Sequence, residues 1–151
     1  MQEVKNSFLK NIRTIDTYNK NKKWNGCLLT LVNMNEPGTA KIDQVYITMC
    51  KANDIKGPHM HRGIKMDRFY CIEGKVAVVC RNEETKEMSE YVLEAFDDQL
   101  LIIPPWNSHA LVALDGQKAA VLSIPTEGYN PNFPYNQTET EYKDYNWEKW
   151  K

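Results

Sequence analysis

Apolar residues in this chain come in short runs, rich in β-branched and aromatic types and broken by turn residues, and no stretch sustains a long helical period. Residues 26–32 form the first clear predicted strand, closed by the turn Asn35-Glu36-Pro37-Gly38. Residues 45–50 form a second, with Val45, Ile47 and Met49 on one face. Residues 51–63, which contain Gly57-Pro58, read as a loop that rises onto a strand at 67–72. Gly74 then turns the chain, and residues 76–80 and 89–93 form an antiparallel pair around a charged tip at 81–87. Asp97-Asp98 makes the next turn, 100–103 ends at Pro104-Pro105, and 110–114 is joined to 119–124 by Asp115-Gly116, a two-residue hairpin signal. About eight short strands at even spacing predict an all-β jelly roll or small barrel.

The flanks differ from this core of about residues 26–125. The segment 126–151 is poor in aliphatics and carries Tyr129, Tyr135, Tyr142, Tyr145, Trp147 and Trp150. So many aromatics argue against disorder and for a tail that packs over the barrel or over a partner subunit. The first twenty residues are polar apart from Phe8, Leu9, Ile12 and Ile15, and suit either a short helix or an exchanged edge strand. At 151 residues the chain is long enough for one domain with its own core, so arm, barrel and tail read as a single domain.

Charge narrows the partners. Charged residues make up 26% of the chain, the net charge is −1, and the positives are scattered, which points away from nucleic acid. The opening Met1-Gln2-Glu3-Val4-Lys5-Asn6-Ser7 has no apolar core and does not read as a signal peptide, and no run approaches a membrane span. A cytoplasmic protein is expected. The four cysteines, Cys27, Cys50, Cys71 and Cys80, form no C-x-x-C pair and lie in apolar strand-like runs, as buried free thiols do.

Candidate chemistry gathers in two places, Gly57-Pro58-His59-Met60-His61 with Asp67 shortly after, and Pro104-Pro105-Trp106-Asn107-Ser108-His109. The chain has only three histidines, and all three fall here. An H-x-H pair on a strand or its approach puts both rings on one face, because side chains alternate with period two. Asp67 and His109, from neighbouring strands, are expected to converge on the same cavity. Four groups fit for acid–base work or metal ligation then meet in one place.

These two segments resemble the half-motifs of the cupin superfamily, on His59, His61, Asp67, Gly74, Pro104 and His109. Asp67 stands for the usual Glu with one extra residue before it, Trp106 stands where the pattern has Gly, and Ala113 replaces its closing Asn. Lys56-Gly57-Pro58-His59, the run from Ile102 to His109 and Tyr129-Asn130-Pro131 are similar to dTDP-4-dehydrorhamnose 3,5-epimerases, and His59-Met60-His61 to the H-x-H of dTDP-sugar 3,4-ketoisomerases. The resemblance implies a single-domain cupin, a double-stranded β-helix. It also implies an isomerase that needs no cofactor and acts on a nucleotide-linked 4-keto-6-deoxyhexose in polysaccharide or deoxysugar biosynthesis.

By that resemblance His59 matches the base that removes the proton beside the ketone, and His61 acts instead or shares the task. Asp67 stands where the epimerases carry an enolate-stabilising lysine, which leaves Arg62, Lys65 or Arg68 to supply charge and Asp67 to orient a histidine. The acidic tyrosine of that family falls near Leu122 or Ser123, and neither is a tyrosine, so a single epimerisation or a keto shift suits this chain better than a double epimerisation. Arg62 and Arg68 are candidates for the diphosphate, and Trp106, His109 and Tyr129 for the remaining substrate contacts.

Two alternatives stand beside this reading. His59, His61, Asp67 and His109 form an inventory suited to one divalent metal, Zn, Ni, Fe or Mn, in a metal-dependent cupin enzyme. Loss of the lysine and tyrosine equivalents also fits a non-catalytic cupin that binds sugar. Exposed edge strands in a barrel of this kind favour a homodimer.

Overall fold

The alternation that predicts strands also dictates how they stack. In the run Leu100-Leu101-Ile102-Ile103, Leu101 and Ile103 join the central core while Leu100 and Ile102 join a second cluster on the other face of the same strand. A strand apolar on both faces is buried on both faces. The computed structural model, which describes residues 3–61, 63, 65–132 and 137–151, meets this demand with two five-stranded antiparallel sheets and a covering hairpin.

In chain order the strands are β1 Phe8–Asn11, β2 Arg13–Tyr18, β3 Trp24–Thr30, β4 Tyr46–Cys50, β5 Ile55–His61, β6 Asp67–Glu73, β7 Lys75–Asn82, β8 Met88–Glu94, β9 Gln99–Ile103, β10 Asn107–Ala113, β11 Ala119–Ser123 and β12 Gln137–Glu139. The first sheet runs β1-β9-β6-β11-β4 and the second β12-β5-β10-β7-β8, while β2 and β3 pair only with each other. Between the sheets lies the core, with Phe69 and Cys71 of β6, Val76 and Val78 of β7, Leu101 and Ile103 of β9, Leu111 of β10 and Val121 of β11. On the outer face of the first sheet Tyr70, Leu100 and Ile102 are packed by Ile12, Leu29, Leu31 and Val32.

Several expectations hold. The pair β7–β8 is a regular hairpin from Lys75↔Glu94 to Arg81↔Met88 around the charged tip. Gly74 turns the chain at φ +70°, where a Cβ would stand 2.6 Å from the Lys118 carbonyl oxygen, so no other residue fits without displacing backbone. The chain-terminal arm is neither the short helix nor the exchanged strand expected of it: it forms a strand, β1, that pairs with β9 of its own chain. The tail packs over the barrel: β12 adds to the edge of the second sheet, and Tyr142 is buried beyond it.

Three expectations are corrected. Residues 55–61 are a strand, not a loop. Gly57 and Pro58 lower its intrinsic propensity, but β10 and β12 pair with both of its edges, and such tertiary pairing overrides propensity. Asp115 and Gly116 do adopt positive φ, 59° and 64°, yet the strands they join lie in different sheets, so the turn crosses between layers and closes no hairpin. The predicted strand at 26–32 is observed as β3, which starts two residues earlier and ends at Thr30; it lies outside both five-stranded sheets and leaves Cys27 exposed while Cys50, Cys71 and Cys80 are buried. Along β4 and the residue before it, the predicted apolar face looks away from the core: Val45, Ile47 and Met49 are more than half exposed, and Cys50, of the opposite parity, is buried.

A histidine cluster behind an open polar cavity

Strand β5 carries Gly57, His59 and His61 on one face, and its register against β10 sets His59 directly opposite His109. The two rings lie edge to face with centroids 4.6 Å apart, and His61 is 5.7 Å from His59 and 5.6 Å from His109. Gly57 makes this approach possible. At φ +96° its place for a Cβ is 2.7 Å from the His109 carbonyl oxygen and 3.1 Å from His59 Nδ1. Strand β12 pairs with the other edge of β5, with Gln137 opposite His61 and Glu139 opposite His59.

Asp67 arrives from the first sheet as the opening residue of β6, on the same face as Phe69 and Cys71. Its Oδ2 lies 3.2 Å from His61 Nε2. Burial by itself pushes the Asp67 carboxyl up, but the hydrogen bond from His61 and the neighbouring His109, His61 and Lys65 outweigh it and hold the carboxyl below its ordinary value. His109 is fully buried, and burial drives its imidazole down to about 3, so it is neutral throughout the physiological range. Burial also lowers His59, reinforced by His61 and opposed by Asp67 and Glu139.

In front of this cluster opens a cavity of about 580 Å³. His59 and His61 reach its wall together with Tyr46, Lys65, Tyr129 and Glu139, and the amides of Gln44, Asn130 and Gln137 complete a polar lining. Such a surface matches a polyhydroxylated ligand better than an apolar one.

The expected site residues are therefore sorted into three groups. His59, His61, Asp67 and His109 do converge, although Asp67 and His109 stand behind the wall. Tyr129 lines the mouth, 72% exposed, with its backbone N–H bonded to Gln44 Oε1. Arg68 and Trp106 are placed elsewhere. The Arg68 guanidinium donates to the carbonyls of Ile124, Ala40 and Lys41 at 2.6–2.9 Å, which ties the chain together and leaves it no part in the cavity wall. Trp106 occupies the turn before β10 at φ 64°, the left-handed conformation for which the cupin pattern supplies glycine, and is not part of the wall. Arg62 lies outside the described residues.

Residues that the sequence did not single out as site residues are Tyr46, Gln44, Asn130, Gln137 and Glu139. Tyr46 was legible only through parity: it shares a face of β4 with Thr48 and the buried Cys50, opposite the apolar Val45, Ile47 and Met49.

The histidines also fit a metal ion. One nitrogen from each of His59, His61 and His109 lies within 4.8 Å of the others, and His109 Nδ1 and Asp67 Oδ1 are buried without a hydrogen-bond partner among the described residues. Three imidazoles suit Zn, Ni, Fe or Mn, with Asp67 steadying His61 from behind.

Two facing sheets with a histidine cluster at one open end define a cupin. The family model described as the polysaccharide biosynthesis C-terminal domain matches residues 25–136, and the chain belongs to that family. No curated protein sequence matches it. Among solved structures it is similar to a dTDP sugar isomerase from Desulfovibrio desulfuricans G20, with a TM-score of 0.73 and 16% identity over 93% of this chain and 87% of that one. It is also similar to a dTDP-4-dehydrorhamnose 3,5-epimerase from Bacillus anthracis, with a TM-score of 0.72 and 16% identity over 91% and 80% of the two chains. A 3,4-ketoisomerase from Helicobacter canadensis gives a TM-score of 0.66 and 16% identity over 87% and 89%.

Proposed function

We propose that this cupin is a sugar-nucleotide epimerase or ketoisomerase, which removes a proton from the carbon beside the ketone of a nucleotide-linked 4-keto-6-deoxyhexose. The observation that carries this reading is His61, on the cavity wall, backed by the buried carboxylate of Asp67 at 3.2 Å. A carboxylate behind an imidazole fixes its orientation and stabilises the imidazolium formed when it takes a proton. His59, beside it and held below its ordinary value by burial, is the second acceptor within the same cavity. The charge that gathers on the ketone oxygen needs a cation, and Lys65, buried and on the cavity wall, supplies it in place of the lysine that Asp67 replaces. The fold that this chain shares with dTDP-sugar isomerases and epimerases adds support.

The test is to incubate the protein with dTDP- and UDP-linked 4-keto-6-deoxyhexoses in heavy water. Deuterium is expected at the carbon next to the ketone, and replacing His61 by Ala should abolish its uptake. Tight binding of a sugar nucleotide with no deuterium incorporated by the unaltered protein would instead make it a binding module.

The nitrogens that converge at His59, His61 and His109, with the orphaned His109 Nδ1, favour a second reading in which these residues hold one divalent ion. When bound, such an ion supplies a Lewis acid that polarises the ketone oxygen. Asp67 then keeps His61 in the ligating orientation. Metal content of untagged protein purified without added metal decides it: about one equivalent, lost when His109 is replaced, supports the ion, and metal-free protein with undiminished deuterium exchange rejects it.

A cytoplasmic setting is part of the proposal, and no described helix is long and apolar enough to cross a membrane. A homodimer is proposed as well. β4 ends the first sheet, and Val45, Ile47 and Met49 beside that edge are exposed.

A further inference from the structure

We infer that the β2–β3 hairpin docks the protein on a membrane surface: Lys20, Lys22 and Lys23 at its tip meet the phosphates of anionic phospholipids, with Tyr18 and Trp24 at headgroup level. The inference is independent of the reaction carried out in the cavity.

The hairpin stands apart from the two five-stranded sheets. Its strands pair only with each other, and every residue from Tyr18 to Asn25 is exposed. At its base Leu29 packs with Ile12, Leu31 and Val32 on Tyr70, Leu100 and Ile102, which fixes the hairpin to the first sheet. Further out the register sets Ile15 opposite Leu28 and Tyr18 opposite Trp24, and all four side chains are exposed, Trp24 at 63%. Large apolar groups gathered on one exposed element mark a surface that meets something else.

Charge selects that partner. Cations are spread over the chain as a whole, but residues 13–30 hold Arg13, Lys20, Lys22 and Lys23 against one acid, Asp16, in a chain of net charge −1. Among the described residues no carboxylate pairs with Lys20, Lys22 or Lys23, whereas Asp16 accepts from Trp24 Nε1 at 3.1 Å. The tip that carries the lysines is a fixed turn. Asn19 Oδ1 accepts from the backbone N–H groups of Asn21 and Lys23, the Asn19 N–H donates to the Lys23 carbonyl, and the Lys22 N–H donates to the Asn19 carbonyl. A turn already held in this way loses little freedom on binding.

The shape and the residue types favour a lipid surface over an acidic polypeptide. Three lysines on an exposed turn touch a plane together but form no groove for an extended chain. Lysine brings a compact charge on a flexible stem, which suits a layer of phosphates, and not the planar fork with which arginine reads a single carboxylate. Tyrosine and tryptophan are the side chains enriched where headgroups meet hydrocarbon. Each lysine near an anionic leaflet strengthens binding about fivefold, so three together give about 10²-fold, a reversible attachment.

The experiment sediments the untagged full chain with vesicles of phosphatidylcholine alone and of phosphatidylcholine mixed with phosphatidylglycerol, at low salt and at about 0.15 M salt. Binding is expected to the mixed vesicles only, weaker at the higher salt, with a blue shift of tryptophan emission that Trp24→Phe abolishes. The triple variant Lys20→Gln/Lys22→Gln/Lys23→Gln, with its melting temperature unchanged, is expected to bind about 10²-fold more weakly. No binding to mixed vesicles at low salt overturns the inference, as does equal binding to both kinds of vesicle. Undiminished binding by the folded triple variant, or a blue shift that persists in Trp24→Phe, places the contact on another surface and overturns it too. Capture by polyglutamate beads with no binding to vesicles makes the partner an acidic polypeptide and overturns the lipid surface.

Discussion

Asp67 opens a strand of one sheet and His61 closes a strand of the other, and their side chains meet at 3.2 Å between Oδ2 and Nε2. The contact spans the barrel where it opens, so the carboxylate is sealed from solvent while the imidazole it supports still reaches the cavity. A buried charge of this kind is tolerated only because it is paired, and in the proposed reaction the same pairing holds His61 in place to accept a proton.

Replacing Asp67 by Asn keeps the shape and removes the charge. Deuterium exchange is expected to fall about 10²-fold or more, with little change in substrate affinity. The double variant Asp67→Asn/His61→Ala should lose no more than His61→Ala alone, because the two residues act as a unit. Losses that multiply in the double variant would separate the two residues and remove Asp67 from the proton transfer.

Arg68 is expected to matter for stability. Its guanidinium satisfies three backbone carbonyls, and hydrogen bonds to a charged group contribute about 1.5–3 kcal/mol each. Arg68→Ala should lower the unfolding free energy in urea by about 3 kcal/mol, leaving affinity for the sugar nucleotide unchanged in the folded fraction. A selective loss of nucleotide affinity with normal stability would return Arg68 to the binding site.

The tail should loosen in acid. Glu83 accepts from Arg81, Lys86 and Ser108, and Ser108 in turn bonds the hydroxyl of Tyr142 at 2.8 Å, while Arg81 sits over the Tyr142 ring and reaches the Glu141 carbonyl. Burial opposes ionisation of Glu83, but the bonds from Arg81, Lys86 and Ser108 hold its carboxyl down at about 2 against a free value of 4.5. A carboxyl depressed by folding stabilises the folded state fully above its unfolded value and loses that contribution as pH falls. Stability should therefore decline between pH 4.5 and 2, more steeply than in Glu83→Gln, with tail docking followed by tryptophan fluorescence. Parallel acid profiles for the two proteins would contradict it.

Gly57→Ala tests the close approach of β5 and β10. With backbone 2.7 Å from the added methyl and φ at +96°, the strand must shift, and a loss of about 1–3 kcal/mol together with slower deuterium exchange is expected. A fully active and stable variant would show that the histidine spacing does not depend on this glycine.

What could be read in advance follows from how local each signal is. The β-rich alternation, the hairpin at 81–87 and the three histidines with Asp67 are properties of short windows, and the structure keeps all of them. Residues 55–61 were unreadable as a strand because their pairing partners lie at 107–113 and 137–139. The direction of Arg68 is hidden in the sequence for a related reason: a cation near a site in sequence has no fixed direction until the strand's parity and the carbonyls around it are known.

By itself the order of residues determined the fold class and marked out three histidines and Asp67 as a candidate cluster, because period-two alternation and rare ionisable types are written along the chain. Only the tertiary structure decided that His109 and Asp67 stand behind the wall, that the apolar face of β4 looks outward, and that Tyr46 shares a cavity with His59 and His61. Those facts depend on which sheet each strand joins and which face turns inward, and both are set by long-range packing.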